Sequence, residues 1–268
     1  MTQTLSYAVL KSRALIAISG EDWRGFLQGL ITQDVETLSP GEVRFGGLLT
    51  PQGRLLFDLF VVGRNDGVWL DVLADTRQAL ITRLSMYRLR AKVTITPGET
   101  EVAAAFGGGP APEGWMADPR LAALGWRGYG LPAPIDARLV PETSYDTHRL
   151  TVGVPGPVDW DAGRVYPIEA NFDLLNGIDF KKGCFVGQET TSRMKRRGEV
   201  KNRMLPLWYE GVPLPLGAEI LSGVRRVGEV TSSEKGRAMA MIRLDRISGD
   251  FTVDGRPVEI LQPDWITS

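Results

Sequence analysis

Cysteine and histidine are almost missing from these 268 residues: Cys184 and His148 are the single representatives of their types. One cysteine excludes an intramolecular disulfide framework and fits a reducing compartment, so the cytoplasm is the expected location. A lone thiol cannot hold zinc by itself, there is no Cys-x-x-Cys, and His148 has no second histidine or cysteine near it in sequence, so no protein-built metal site is expected. No apolar run approaches the length of a membrane span. Residues 1–5 lack a basic region followed by an apolar one, so neither membrane nor secretory leader is expected. An excess of one charge is also missing. Lys and Arg total 31 against 32 Asp and Glu, a net of -1, which by itself demands neither nucleic acid nor membrane. The run Gly107-Gly108-Gly109-Pro110-Ala111-Pro112 lacks the Lys-Ser/Thr of a phosphate-binding loop and reads as a surface loop.

What is present is the composition of an ordinary globule, 43% hydrophobic and 24% charged, long enough for two or three subdomains. Residues 14–18 read as a strand closed by Ser19-Gly20, and Trp23, Phe26, Leu27 and Leu30 recur at helical spacing across 21–31. Strands are predicted over 43–49 and 54–62, joined at Thr50-Pro51-Gln52-Gly53, and over 68–73 after the turn Asn65-Asp66-Gly67. Asp75 reads as the N-cap of a helix over 76–89, followed by neighbouring strands over 91–96 and 101–106. That order suits an α+β layer with helices on one face. A further helix begins at Glu142, runs through Tyr145 and His148, and ends at Gly153. Beyond Arg203, short apolar segments punctuated by Gly211, Gly217, Gly223, Gly236 and Gly249 predict a small barrel or sandwich.

The chemistry concentrates around the one thiol. Cys184 follows Lys181-Lys182-Gly183 and precedes Gly187-Gln188-Glu189-Thr190, which reads as the start of a helix. Positive potential from lysines and a helix N-terminus favours a thiolate, which makes Cys184 a candidate nucleophile or ligand. The alternative is a small buried hydrophobe, the usual role of free cysteine. From Lys181 to Arg203 eight basic residues face only Glu189 and Glu199, so this stretch is +6 within a chain of net -1. Such a patch can meet the glutamate tail of a folate, a phosphate-rich partner or RNA, or can simply be solvated.

Lys-Gly-Cys-Phe-x-Gly-Gln-Glu over 182–189, preceded by Pro167-Ile168-Glu169-Ala170-Asn171-Phe172-Asp173 and Gly177-Ile178-Asp179-Phe180, closely resembles the signature of the YgfZ family of folate-binding proteins. That family is a branch of the glycine-cleavage T-protein superfamily, and its mitochondrial relatives assist iron–sulfur protein maturation. The stretch 26–58, and Gly228-Glu229-Val230-Thr231-Ser232 with Gly236-Arg237-Ala238, also resemble that superfamily. The resemblance covers nearly the whole chain and is weakest over 107–140. It implies an α+β, T-protein-like folate-binding fold, with two intertwined α+β subdomains arranged as a ring over 1–200 and a C-terminal β-barrel over 201–268. It implies tetrahydrofolate or a one-carbon derivative as cofactor. By resemblance, Thr32, Asp34, Gln52 and Arg54 lie near the cavity mouth, Tyr145 belongs to the folate site, and Glu169 with Asn171 meets the donor edge of the pterin. Glu169 also reads as a cap for the short helix that follows it. Cys184 is the functional thiol, with Lys182, Gln188, Glu189 and Arg193 around it. Thr151 stands where family members often carry a glutamate, so that carboxylate is missing here.

Three functions follow. The first is a folate-dependent accessory factor serving iron–sulfur proteins or their assembly factors, and through them tRNA modification. The second is a folate-dependent aminomethyltransferase of the glycine-cleavage type, in which Asp75 overlaps the family's folate-positioning aspartate although the flanking pattern is missing. The third is an RNA-binding module built on the basic stretch, which lacks the interleaved aromatics of a single-strand binder.

Overall fold

The computed structural model describes residues 4–198 and 200–267. Residues 1–3, which open the stretch read as lacking a leader, lie outside the described residues, as do Glu199 and Ser268. Two five-stranded sheets precede a closed barrel. One sheet runs in the order Val43–Leu49, Leu55–Arg64, Gly67–Leu73, Arg13–Ser19, Thr94–Gly98, with every neighbour antiparallel. The other runs Arg138–Leu139, Ser6–Val9, Val102–Phe106, Trp126–Tyr129, Met116–Ala117, antiparallel except for its first pair.

Three expectations are corrected by this topology. The strand over 101–106 does not neighbour the one over 91–96. Val102–Phe106 is the central strand of the second sheet, buried at every position and covered on both faces, so its apolar run carries no alternation from which to assign a sheet. The helix over 21–31 is only α1, Trp23–Gln28, because Ile31 leaves the helical path to bridge Leu48. Asp75 is not the cap of α2, Arg77–Arg88. It sits inside a 3-10 turn, Ala74–Thr76, through which the chain turns off its strand, and Thr76 occupies the cap position.

Sequence pattern and packing agree elsewhere. Leu80 and Leu84 of α2 join Trp23 and Leu27 of α1 in one core against the first sheet. The helix α3, Glu142–Val152, ends at Gly153 with φ +82, the left-handed cap that glycine adopts without a Cβ penalty. The barrel closes through Asn202–Tyr209, Arg237–Arg243, Arg225–Glu234, Glu219–Ser222, Phe251–Val253 and Arg256–Ile260, around Leu205, Leu207, Ile220, Val230 and Ile242.

The two sheets meet at a buried ionic cluster. Asp71 accepts from Arg13 Nε at 2.7 Å within its own sheet and pairs with Arg127 Nη2 from the other. Arg13 also reaches Asp58 at 3.0 Å, and Asp118 accepts from Arg120 Nε at 2.9 Å and Nη2 at 2.7 Å. The Arg127 and Arg120 guanidiniums lie 3.8 and 4.9 Å from the centroid of the Phe60 ring. Three aspartates therefore balance three arginines around one aromatic. Burial alone would push the Asp71 carboxyl up, but the Arg127 and Arg13 guanidiniums outweigh it and hold the carboxyl below its ordinary value.

Removing one member of such a cluster strands the opposite charge in low dielectric. Asp71→Ala is expected to cost about 3–5 kcal/mol in urea unfolding, far more than an exposed carboxylate. Asp71 and Asp118 both titrate below the unfolded range, so their contribution is full above about pH 4 and is lost as pH falls through the folded values. A chemical-denaturation series against pH should show this acid limb, and it should be shallower in the Asp71→Ala protein.

Candidate functional site

The cysteine loop is built by a chain of fastenings to residues 29–33, which follow α1, and to the hairpin turn at residues 50–53. Asp179 opens it: its backbone N–H donates to the Thr32 carbonyl at 3.0 Å, and its Oδ1 accepts from the N–H groups of Lys181 and Lys182. Lys182 is buried, and its Nζ donates to the carbonyls of Ile31 and Gln33 at 2.8 Å each. The Val186 N–H donates to the Gly29 carbonyl at 3.2 Å. Gly187, at φ +82, and Gly53, at φ +83, then pack backbone against backbone. A Cβ on Gly187 would lie 2.6 Å from the Thr50 carbonyl oxygen, and one on Gly53 would lie 2.9 Å from Thr190 Cβ. Only glycine fits at both positions. Between these ties Phe185 is buried in the core and Cys184 is exposed, so the buried-hydrophobe alternative for the thiol is excluded.

The helix α4, Gln188–Arg197, follows at once. Thr191 is buried, Gln188 is half-buried, and Glu189 and Arg193 are exposed. Desolvation depresses Lys182 to about 8, against the attraction of Asp34 and Asp179.

The residues named for the folate site separate into different places. Thr32 is fully buried, with Oγ1 donating to the Gly177 carbonyl at 2.6 Å and accepting the Gly47 N–H at 2.8 Å. Asp34 accepts from Thr37, Gln28 and Arg44; burial opposes its charge, and the Thr37 and Gln28 hydrogen bonds prevail and hold the carboxyl low. Gln52 is exposed on the hairpin turn, and Arg54 stacks 3.7 Å from the Tyr166 ring centroid. Glu169 accepts from the Tyr166 N–H at 2.9 Å and from Asn202 Nδ2 at 3.0 Å, while Asn171 donates to the Met204 carbonyl at 2.7 Å. These two tie the segment 166–173 to the first barrel strand.

Tyr145 alone among them lines a cavity of about 230 Å³ enclosed by both sheets, α3 and the barrel strand Arg225–Glu234. Its floor is Phe60, Leu10, Leu73 and Leu150, beside the ionic cluster of Arg13, Asp58, Arg120 and Arg127. Arg120 donates to the Tyr145 hydroxyl at 3.0 Å. Its rim carries Glu142, Asp146 and Glu234. Burial pushes the Asp146 carboxyl up, Arg149 pulls it down, and Glu142, Asp159 and Glu234 push it up again. Asp159 accepts from Arg149 Nη1 and the Gly156 N–H and bonds Thr231 and Ser232, which fastens α3 to the barrel wall. A more open hollow of about 590 Å³ lies between residues 158–165 and the barrel, where Arg226, Arg243 and Arg164 are each paired with a neighbouring acid.

Apart from Tyr145, the residues that line this cavity were missed as site residues. A signal for them does exist: Asp58 in Leu55-Leu56-Phe57-Asp58-Leu59-Phe60 and Asp71 in Val68-Trp69-Leu70-Asp71-Val72 are charges inside apolar strands, which fold only if paired. Among the described residues no group of three or more His, Cys, Asp or Glu side chains could hold a metal ion, and no helix is long and apolar enough to cross a membrane.

Two α+β sheets closed by a six-stranded barrel define a protein of the T-protein fold. The solved glycine cleavage system aminomethyltransferase T of Bartonella henselae superposes with a TM-score of 0.78 over 98% of this chain and 87% of that one, at 16% identity. Residues 201–268 match the family described as CAF17, C-terminal beta-barrel domain. An iron-sulfur cluster assembly factor IBA57 homolog, mitochondrial, from Pyricularia oryzae is 32% identical over 97% of this chain and 77% of that protein. The human iron-sulfur cluster assembly factor IBA57 is 29% identical over 96% of this chain and 84% of its own length. The chain therefore belongs to the IBA57 family of iron–sulfur cluster assembly factors. It spans 60% of the Mycosarcoma maydis homolog and 55% of the Neurospora crassa one.

The loop geometry makes two checks. Gly187→Ala forces a strained φ and a backbone clash, and is expected to cost about 1–3 kcal/mol in thermal unfolding while altering iodoacetamide labelling of Cys184. Because Lys182 is depressed in the fold, the unfolded chain binds more protons between about pH 8 and the ordinary lysine value near 10.4. Stability from this group rises with pH across that window, and Lys182→Met should remove the slope.

Proposed function

We propose that this chain is a YgfZ-type, reduced-folate-binding accessory factor that presents one thiol to iron–sulfur proteins or their assembly machinery. The observation that carries the reading is Cys184, exposed on a loop fastened on both sides to the segment 29–33. A fixed, accessible thiol is suited to ligate or exchange with a cluster offered by a partner, the cluster being cargo, because the ligand position costs little ordering when the partner arrives. The compartment we propose is the cytoplasm, whereas the relatives above are named as mitochondrial. A role in tRNA modification would follow indirectly, through iron–sulfur clients.

The chemistry of the inner cavity fits the head group of a reduced folate. Its volume of about 230 Å³ falls short of the roughly 300–1,000 Å³ typical of whole-ligand pockets, so it suits a bicyclic pterin with the remainder of the cofactor outside. Phe60 and Leu150 supply apolar walls, and the rim carboxylates of Asp146 and Glu142 are acceptors for the adjacent N–H groups of a pterin edge. A bound reduced folate would supply one-carbon carrier chemistry there. The ion pairs around Phe60 keep the cavity floor at zero net charge, which favours a neutral head group over an anion. The aminomethyltransferase reading is weaker: Asp75 belongs to a turn outside the residues that line this cavity.

Calorimetric titration with tetrahydrofolate is expected to show one site per chain, weakened about tenfold by Asp146→Asn as one charge-assisted hydrogen bond is lost. Saturation by the aminobenzoyl-glutamate moiety alone, with no gain from the pterin, would sink the cavity assignment. In cells, Cys184→Ser is expected to fold normally and fail to replace the wild-type chain; full replacement would end the thiol reading.

A further inference from the structure

One face of α4 is charged and carries no ion pair among the described residues. Thr191 and Met194 point into the protein, which turns Arg193, Arg196 and Arg197 outward at the i, i+3, i+4 spacing of one helical face. Lys181 and Lys201 are exposed before and after the helix, and Lys195 lies 5.4 Å from the Phe180 ring centroid. None of Lys181, Arg193, Arg196, Arg197 and Lys201 forms an ion pair among the described residues. Lys182 and Arg203, at the margins of the same stretch, are committed inward, to two carbonyls and to Asp173 respectively. Across 181–198 the only exposed carboxylate is Glu189. The like charges repel one another, an arrangement that is relieved when anions dock.

We propose that the outer face of α4, flanked by Lys181 and Lys201, is a docking surface for an acidic protein. The inference rests on the accessory reading above and names the class of partner that brings its cargo to Cys184. Charge complementarity selects the partner, because five cations with no ion pair among the described residues match a carboxylate-rich patch and raise the rate of productive encounter. RNA fits less well. The stretch 181–198 exposes no aromatic ring for base stacking, Phe185 being buried and Phe180 half-buried beneath Lys195.

The test titrates fluorescent poly-L-glutamate, and separately labelled single-stranded and duplex RNA, into the full chain by anisotropy at physiological salt. Poly-L-glutamate should bind, weaken as salt rises, and bind about tenfold less tightly to Arg193→Gln/Arg196→Gln/Arg197→Gln, a variant of three exposed, helix-compatible changes whose thermal unfolding is measured alongside. Cys184→Ser should bind it unchanged. Tighter binding of either RNA than of poly-L-glutamate overturns the proposal in favour of a nucleic-acid surface. Binding that the triple variant leaves intact, or no binding to any polyanion, also overturns it. Replacement in cells separates the two readings. If the triple variant replaces the wild type and Cys184→Ser does not, the docking face is wrong and the thiol stands; the reverse result discards the thiol and keeps the face.

Discussion

The molecule depends on the carboxylate of Asp71, held between Arg13 of its own sheet and Arg127 of the other. Each of these charges alone would be costly in a fully buried position. Together with Asp58, Asp118 and Arg120 they form a balanced cluster around Phe60 that joins the two sheets. Tyr129 adds its hydroxyl to Asp71, and burial next to that carboxylate keeps the phenol protonated. Arg13, Asp58, Arg120 and Arg127 of the same cluster line the inner cavity. The contact that orients the sheets also sets the polarity of the space between them.

From that frame one hairpin connects the cysteine loop with the inner cavity. The strand Leu55–Arg64 carries Asp58 and Phe60 at the cavity, and the turn preceding it carries Gly53, against which Gly187 and the cysteine loop pack. Five to seven residues of strand separate Gly53 from Asp58 and Phe60, about 17–23 Å along an extended chain. The cysteine loop and the cavity therefore meet this hairpin at different places.

Several polar residues of the signature build the scaffold that presents the thiol. Thr32 closes the bonds to Gly177, Gly47 and Asp179, Lys182 spans Ile31 and Gln33, and Glu169 with Asn171 sews the following segment to the barrel. A buried lysine donating to two carbonyls is held by geometry more than by an opposite charge, so it orders the loop without neutralising the positive surface next to it.

The amino-acid sequence by itself determined the local elements and the place where chemistry concentrates. Period-2 and period-3.6 patterns marked the hairpin over 43–64, the Leu80 and Leu84 face of α2, the Gly153 cap and the glycine-punctuated barrel, because those features follow from side-chain spacing and backbone freedom within a few residues. The cysteine phrase and its basic surround were equally legible. Tertiary structure alone decided which sheet Val102–Phe106 joins, since a strand buried on both faces has no polar side to orient it. It alone gathered Arg13, Asp58, Arg120, Arg127 and Tyr145, which lie up to 132 positions apart, around one cavity. And it alone turned Thr32 and Lys182 inward while leaving Cys184 and Arg193 to solvent, because hydrogen bonds between distant segments fix which side of a loop faces water.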